Sequence, residues 1–225
     1  MQPVETLFRT LSSVRRDRIF HPQGRVFEGT WRIDREDARV RGAQAFRAGF
    51  EAPAIVRLSR GAGVAEWLPD IFGAAVRLPD AYGEGRHQDL LVNTTIDLPF
   101  VHHLFVPTTG WFAAPKTTSL PYRAGEGPLV LLGLLPPDEP EPGVSLDALE
   151  ARIAARPVDW GIAVSSLEGR FSRVGTLRVQ RRRPELDTTR FDPFTTGGGL
   201  RPAGIFNRLR KAAYRGSRSG APVAD

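Results

Sequence analysis

Val174-Gly175-Thr176-Leu177-Arg178-Val179-Gln180-Arg181 settles into strict alternation at its C-terminal end, with Leu177 and Val179 on one side and Arg178 and Gln180 on the other. Successive side chains of an extended chain point to opposite faces, so this is a strand with one face in a core and the other in water. Extended segments recur at Val26 to Ile33, Ala54 to Leu58, Gly73 to Leu78, Asp89 to Thr94 and Trp160 to Ser165. Gly and Pro punctuate them, which predicts an antiparallel β-barrel rather than alternating strand and helix. Helices are predicted over Thr6 to Arg16, Ser145 to Arg156 and Gly204 to Gly216, giving an α+β fold in which helices flank a barrel. Ser145 is an N-cap for the second of these, Asp147 and Glu150 sit early in it, and Pro157 follows its end. Pro136 to Gly143 reads as a stiff, acidic loop leading into that helix.

At 225 residues and 41% hydrophobic content the chain is long enough for one sizeable core, and a single domain over 1–225 is expected. The longest apolar run, Pro128 to Leu135, is far shorter than the roughly 18 residues of a spanning helix. Arg9, Arg15, Arg16 and Arg18 interrupt Met1 to Phe20, which is unlike a secretory signal, so a cytoplasmic location is expected. The absence of cysteine excludes disulfides, thiolate ligation of haem and Cys-based zinc sites. The net charge of +6 gathers in two clusters, Arg178 to Arg183 and Arg201 to Arg218. The first falls on the wet face of a strand and the second spreads round a predicted helix. Without a motif that interleaves basic and aromatic residues, no nucleic-acid partner is expected.

Four groups of polar residues carry the chemistry. They are Arg18-Ile19-Phe20-His21, Arg57-Leu58-Ser59, Asn93, and Arg210-Lys211-Ala212-Ala213-Tyr214. In Arg-x-x-x-Tyr on a helix, Arg210 sits one turn before the Tyr214 phenol and on the same face. Tyrosine binds ferric iron well only as phenolate, and an adjacent cation lowers its ordinary pKa of about 10. His21 is the residue type that can take a proton near neutrality and return it, and Ser59 and Asn93 can orient or hold what it acts on. His87, His102 and His103 lack the spacing of a metal set, and His102-His103 on an extended segment would face opposite ways. Thr196-Gly197-Gly198-Gly199-Leu200 lacks the Lys-Ser/Thr of a phosphate loop and reads as a flexible turn. Trp111-Phe112 and Leu129 to Leu135 supply apolar surface either for the core or for a wide entrance to a site.

These residues together resemble the haem catalase superfamily, in particular its small catalase-like peroxidases. His21-Pro-Gln-Gly-Arg-Val-Phe-Glu-Gly29 resembles the segment around the family's distal histidine. Ala54 to Arg60 resembles the strand carrying a propionate-binding arginine and a supporting serine, and Asp89 to Thr95 the segment with the distal asparagine. Val174 to Arg181, Phe191-Asp192-Pro193 and Arg210-x-x-x-Tyr214 resemble a later strand, the proximal turn and the iron-ligand helix, in the family's order.

The resemblance implies one haem b with Tyr214 as iron ligand, Arg18, Arg57 and Arg210 among its cofactor-binding residues, and His21, Asn93 and Ser59 as the catalytic set. The implied reaction is reduction of hydrogen peroxide or an organic hydroperoxide with a small organic reductant. A homo-oligomer, a fatty-acid hydroperoxide isomerase and a haem-free binding module are all compatible with it. Where large catalases continue past the tyrosine with Pro-Asp-Thr, this chain has Arg215-Gly216-Ser217-Arg218.

Overall fold

The computed structural model describes residues 23–61, 65, 68–118 and 120–203. The N-terminal strand β1 (Gln23–Ile33) is the longest-paired element, hydrogen-bonded on one side to β2 (Glu51–Arg60) and on the other to β9 (Ser172–Arg182). From β2 the sheet continues through β3 (Phe72–Leu78), β4 (Gln88–Thr94), β5 (Lys116–Thr117) and β7 (Leu129–Leu135). Then β8 (Val158–Ser166) pairs with both β7 and β9, closing a ring of eight antiparallel strands. Two short strands, β6 (Tyr122–Ala124) and β10 (Leu200–Pro202), extend the sheet beyond β7. The expected antiparallel barrel is therefore present, and closure leaves its principal strands without an exposed edge.

The barrel interior is filled by one face of each strand. Phe27, Trp31, Val56, Leu58, Val76, Leu90, Val92, Leu132, Trp160, Ile162, Leu177 and Val179 are all buried in one cluster. Each such side chain contributes roughly 1.5–3 kcal/mol by leaving water. β9 keeps its alternation only after an adjustment. Ile162 pairs with Gly175 and Ala163 with Arg173, so Val174 is an extra residue in a bulge. That is why Val174 and Leu177, three residues apart, are both buried.

Among the described residues one α-helix, α1 (Leu146–Ala155), lies against β9, with Ser145 Oγ accepting from the Ala148 amide as its N-cap. Leu149 and Ile153 are its buried face, and Arg25 of β1 ties it down through the Leu146 carbonyl, Asp147 and Glu150. The loop before it is anchored to the barrel as well. Glu141 accepts from the amides of Trp111 (2.7 Å) and Phe112 (2.8 Å), and Glu139 pairs with Arg152 and Arg156. The predicted helices Thr6 to Arg16 and Gly204 to Gly216 lie outside the described residues.

Trp111, Val130, Leu132 and Leu134 join the core, while Gly133 lies on the outer face under the Phe171 ring. His102 and His103 lie in a turn, not an extended segment, yet one is buried and the other exposed. The turn at 196–200 is held rather than loose. Gln88 accepts from Tyr82 Oη (2.9 Å) and Thr196 Oγ1 (3.1 Å), and the Tyr82 ring packs on Gly197 and Gly198. The arginines between positions 178 and 183 are consumed in ion pairs: Arg178 with Asp159, Arg181 with Glu28, Arg182 with Glu150 and Asp187, and Arg183 with Glu28 and Glu185. Among the described residues no helix is long and apolar enough to cross a membrane.

Candidate functional site

Inward-facing side chains on β2 are Ala54, Val56 and Leu58, so Ile55, Arg57 and Ser59 project from the outer face of the barrel. Register then fixes their neighbours. Ser59 is paired with Gly24 of β1 and Gly73 of β3; Gly73 is paired with Asn93 of β4; Asn93 with Thr117 of β5; and Thr117 with Gly133 of β7. Directly opposed residues share a face, so Gly24, Ser59, Gly73, Asn93, Thr117 and Gly133 form a single outward row across six strands. Adjacent strands lie about 4.8 Å apart, which places the Ser59 and Asn93 backbones about 10 Å apart with only a glycine between them. The parallel row beside it is Val26, Arg57, Ala75 and Leu91.

Three of the seven candidate residues are thus brought to one patch: Arg57, Ser59 and Asn93. Arg18, His21, Arg210 and Tyr214 lie outside the described residues. The row of small residues makes a shallow floor, and Arg57 is laid across it. A Cβ on Gly24 would stand 2.7 Å from both Cζ and Nη2 of Arg57 and 2.8 Å from Ser59 Cβ, so only glycine leaves the guanidinium this place. The Arg57 charge also acts on Asp187. Burial pushes that carboxyl up, but hydrogen bonds from Arg182 and the Val26 amide, with the charges of Arg182 and Arg57, hold it below its ordinary value.

At the next row the floor is fixed to the segment that follows β9. Arg77 and Asp89 make a two-pronged pair at 2.7 and 2.6 Å, with the Asp89 side chain wholly buried. Asp89 also accepts from the Asp192 amide (2.9 Å), while Arg77 donates to the Arg190 carbonyl (2.8 Å) and lies over the Phe191 ring. Phe191-Asp192-Pro193 is therefore pinned against the same outer face that carries Arg57, Ser59 and Asn93.

At the other end of the row the floor is roofed. The Phe171 ring lies over Gly133, where a Cβ would come within 2.7 Å of it, and His102 packs against Phe171 at 5.3 Å between ring centres. Burial lowers the His102 pKa, against the opposing influence of Asp97. Among the described residues no cluster of three or more His, Asp or Glu side chains could hold a bare metal ion. The patch offers a fixed cationic fork in Arg57 and, in Asn93, an amide that can both donate and accept. Gly24, Gly73 and Thr117 escape a reading of motifs, because only cross-strand register shows that they adjoin Ser59 and Asn93.

No protein-family model matches the chain, and no curated protein matches it. Solved structures do. Catalase A from Saccharomyces cerevisiae aligns with a TM-score of 0.64 at 14% identity, over 96% of this chain and 64% of the yeast chain. A fungal catalase gives 0.61 at 16% identity over 96% of this chain and 62% of its own.

The fold is catalase-like.

A bacterial catalase extends the likeness to 100% of this chain and 64% of its own, with a TM-score of 0.58 and 16% identity. The chain spans less than two thirds of the length of these catalases. Identity this low carries the likeness of fold alone.

Proposed function

We propose that this protein is a haem-dependent enzyme that reduces hydrogen peroxide or organic hydroperoxides with electrons from a small organic donor. One observation carries most of the weight: on a catalase-like barrel, Ser59 and Asn93 stand on a single outward row with Arg57 beside them. The chemistry of this patch fits haem. Gly73 puts no side chain between Ser59 and Asn93, Gly24 makes room for Arg57, and the Arg57 guanidinium offers the forked, permanently charged donor that a propionate accepts best.

Arg18 is the second propionate partner in this proposal, and Tyr214 the iron ligand, its phenol acidified by Arg210, four residues earlier in the sequence. Haem b, when bound, supplies a ferric centre at which the O–O bond of a peroxide can be broken. The chain's residues do the rest. His21 accepts the proton from the near peroxide oxygen and delivers it to the departing one, as a neutral imidazole can near pH 7. Ser59 holds the second ring nitrogen of His21 and so fixes the tautomer. Asn93 donates from its amide to the peroxide.

Replacement of His21 tests these roles. His21→Ala retains haem and slows the peroxide reaction roughly 10²-fold or more, and Asn93→Ala has a smaller effect of the same kind. An unchanged rate in His21→Ala removes that residue from the mechanism. Product analysis with a fatty-acid hydroperoxide and no donor separates reduction from isomerisation, since an epoxide or ketol product means no net reduction.

A further inference from the structure

Among the described residues, buried side-chain atoms without a hydrogen-bond partner are few: Trp160 Nε1, both ring nitrogens of His102 and Thr117 Oγ1. Trp160 faces the barrel interior. His102 lies beyond the Phe171 ring, where burial lowers its pKa against the opposing influence of Asp97 and the backbone of Ser166 and Gly169, so it has polar surroundings of its own. Thr117 is different. It is wholly buried, and its hydroxyl meets no polar group although it is the direct cross-strand neighbour of Asn93 on the outward row.

Its direction follows from its neighbours. Lys116, one residue earlier, turns inward, with Nζ 4.2 Å from the Trp160 ring centre and 2.8 Å from the Trp111 carbonyl. Thr117 therefore points outward, as Asn93 does between the inward Val92 and the following strand end. Directly opposed side chains have Cβ atoms about 5 Å apart. The Asn93 and Thr117 side chains thus stand side by side on the outward row, close enough for one small molecule to bridge them.

A buried hydroxyl left unsatisfied is destabilising, and valine would occupy the same volume without that cost. The hydroxyl is both a donor and an acceptor, and Asn93 offers both functions too. A ligand that satisfies the two is small, neutral and hydroxylic.

We propose that Thr117 is a further binding residue of the site, holding with Asn93 the hydroxyl end of such a ligand: water at rest and the OH of a hydroperoxide during turnover. The turnover half rests on the peroxide chemistry proposed above; the resting half does not. Thr117 contacts the oxygen that carries hydrogen, while the proton transfer stays with His21.

Thr117→Val and Thr117→Ser in the full-length protein test this. Loss of a bound water makes Thr117→Val melt below wild type, and Thr117→Ser restores the melting temperature. Thr117→Val melting above wild type overturns the proposal, because removing an idle buried hydroxyl stabilises. In the haem-loaded protein, Thr117→Val slows the bimolecular reaction with hydrogen peroxide about fivefold to tenfold, the worth of one neutral hydrogen bond, and Thr117→Ser recovers most of it. An unchanged rate in Thr117→Val overturns the peroxide contact. If wild type is inert towards peroxide, the peroxide chemistry itself falls, and the melting comparison still decides whether Thr117 binds water.

Discussion

Gly24 lies directly beneath the Arg57 guanidinium, with the site of its missing Cβ 2.7 Å from Arg57 Cζ. The relationship crosses from β1 to β2 and gives a backbone glycine a chemical consequence: it sets where a cation stands. Gly24→Ala collides with the end of the Arg57 side chain and, at 2.8 Å, with Ser59 Cβ, so β1 and β2 must give as well and stability falls by about 1–3 kcal/mol. Haem affinity falls about tenfold or more, the worth of a hydrogen bond to a charged group. Titration of haem into wild type and Gly24→Ala measures it, and equal affinities remove Arg57 from the cofactor contacts.

Asp89 is the buried anchor of the turn at 191–193. Removing it leaves Arg77 partly buried and uncompensated, so Asp89→Ala destabilises the protein by about 3–5 kcal/mol. Denaturant unfolding measures the loss. Hydrogen exchange places it, because the Asp192 amide donates to Asp89 and loses its protection first. Unchanged protection at Asp192 shows that the turn is held by other contacts.

Five of the six strands whose pattern shows in the sequence have one wet or lightly covered face, and Leu177-Arg178-Val179-Gln180 is the clearest; β8 is covered on both faces and shows instead through its Trp160, Ile162 and Val164. β7 hid because both its faces are covered: Leu132 and Leu134 fill the barrel, while Phe171 roofs Gly133 on the outside. A run apolar on both faces has no period to read. β5, β6 and β10 have two or three residues each, too few for any pattern. At the site, Arg57, Ser59 and Asn93 stood out through their surrounding motifs. Their alignment with Gly24, Gly73 and Thr117 did not, because it depends on register between strands far apart in sequence.

Lys116 places an amine wholly inside the barrel beside Trp160, and burial lowers its pKa to about 7 despite the nearby Glu141. Unfolded, the same amine titrates near 10.4. Between these values the unfolded chain holds a proton that the folded protein lacks, so folding stability rises with pH across that window. Below pH 7 both states are protonated, and the folded protein bears the full cost of a buried cation. Lys116→Met is therefore more stable than wild type at pH 6, by about 1–3 kcal/mol, with an advantage that shrinks as pH approaches 10. Unfolding midpoints of the two proteins from pH 5 to 10 give the curve. A constant difference across that range shows that Lys116 does not titrate differently in the folded state.

Haem binding through Tyr214 is the claim on which the proposed enzyme stands, and an absorption spectrum tests it most directly. After reconstitution with ferric haem, purified wild type shows a Soret band of high-spin ferric character, and Tyr214→Phe loses it or retains it only weakly. A wild-type protein that stays colourless at full haem supplementation, or a Tyr214→Phe spectrum identical to wild type, contradicts the account.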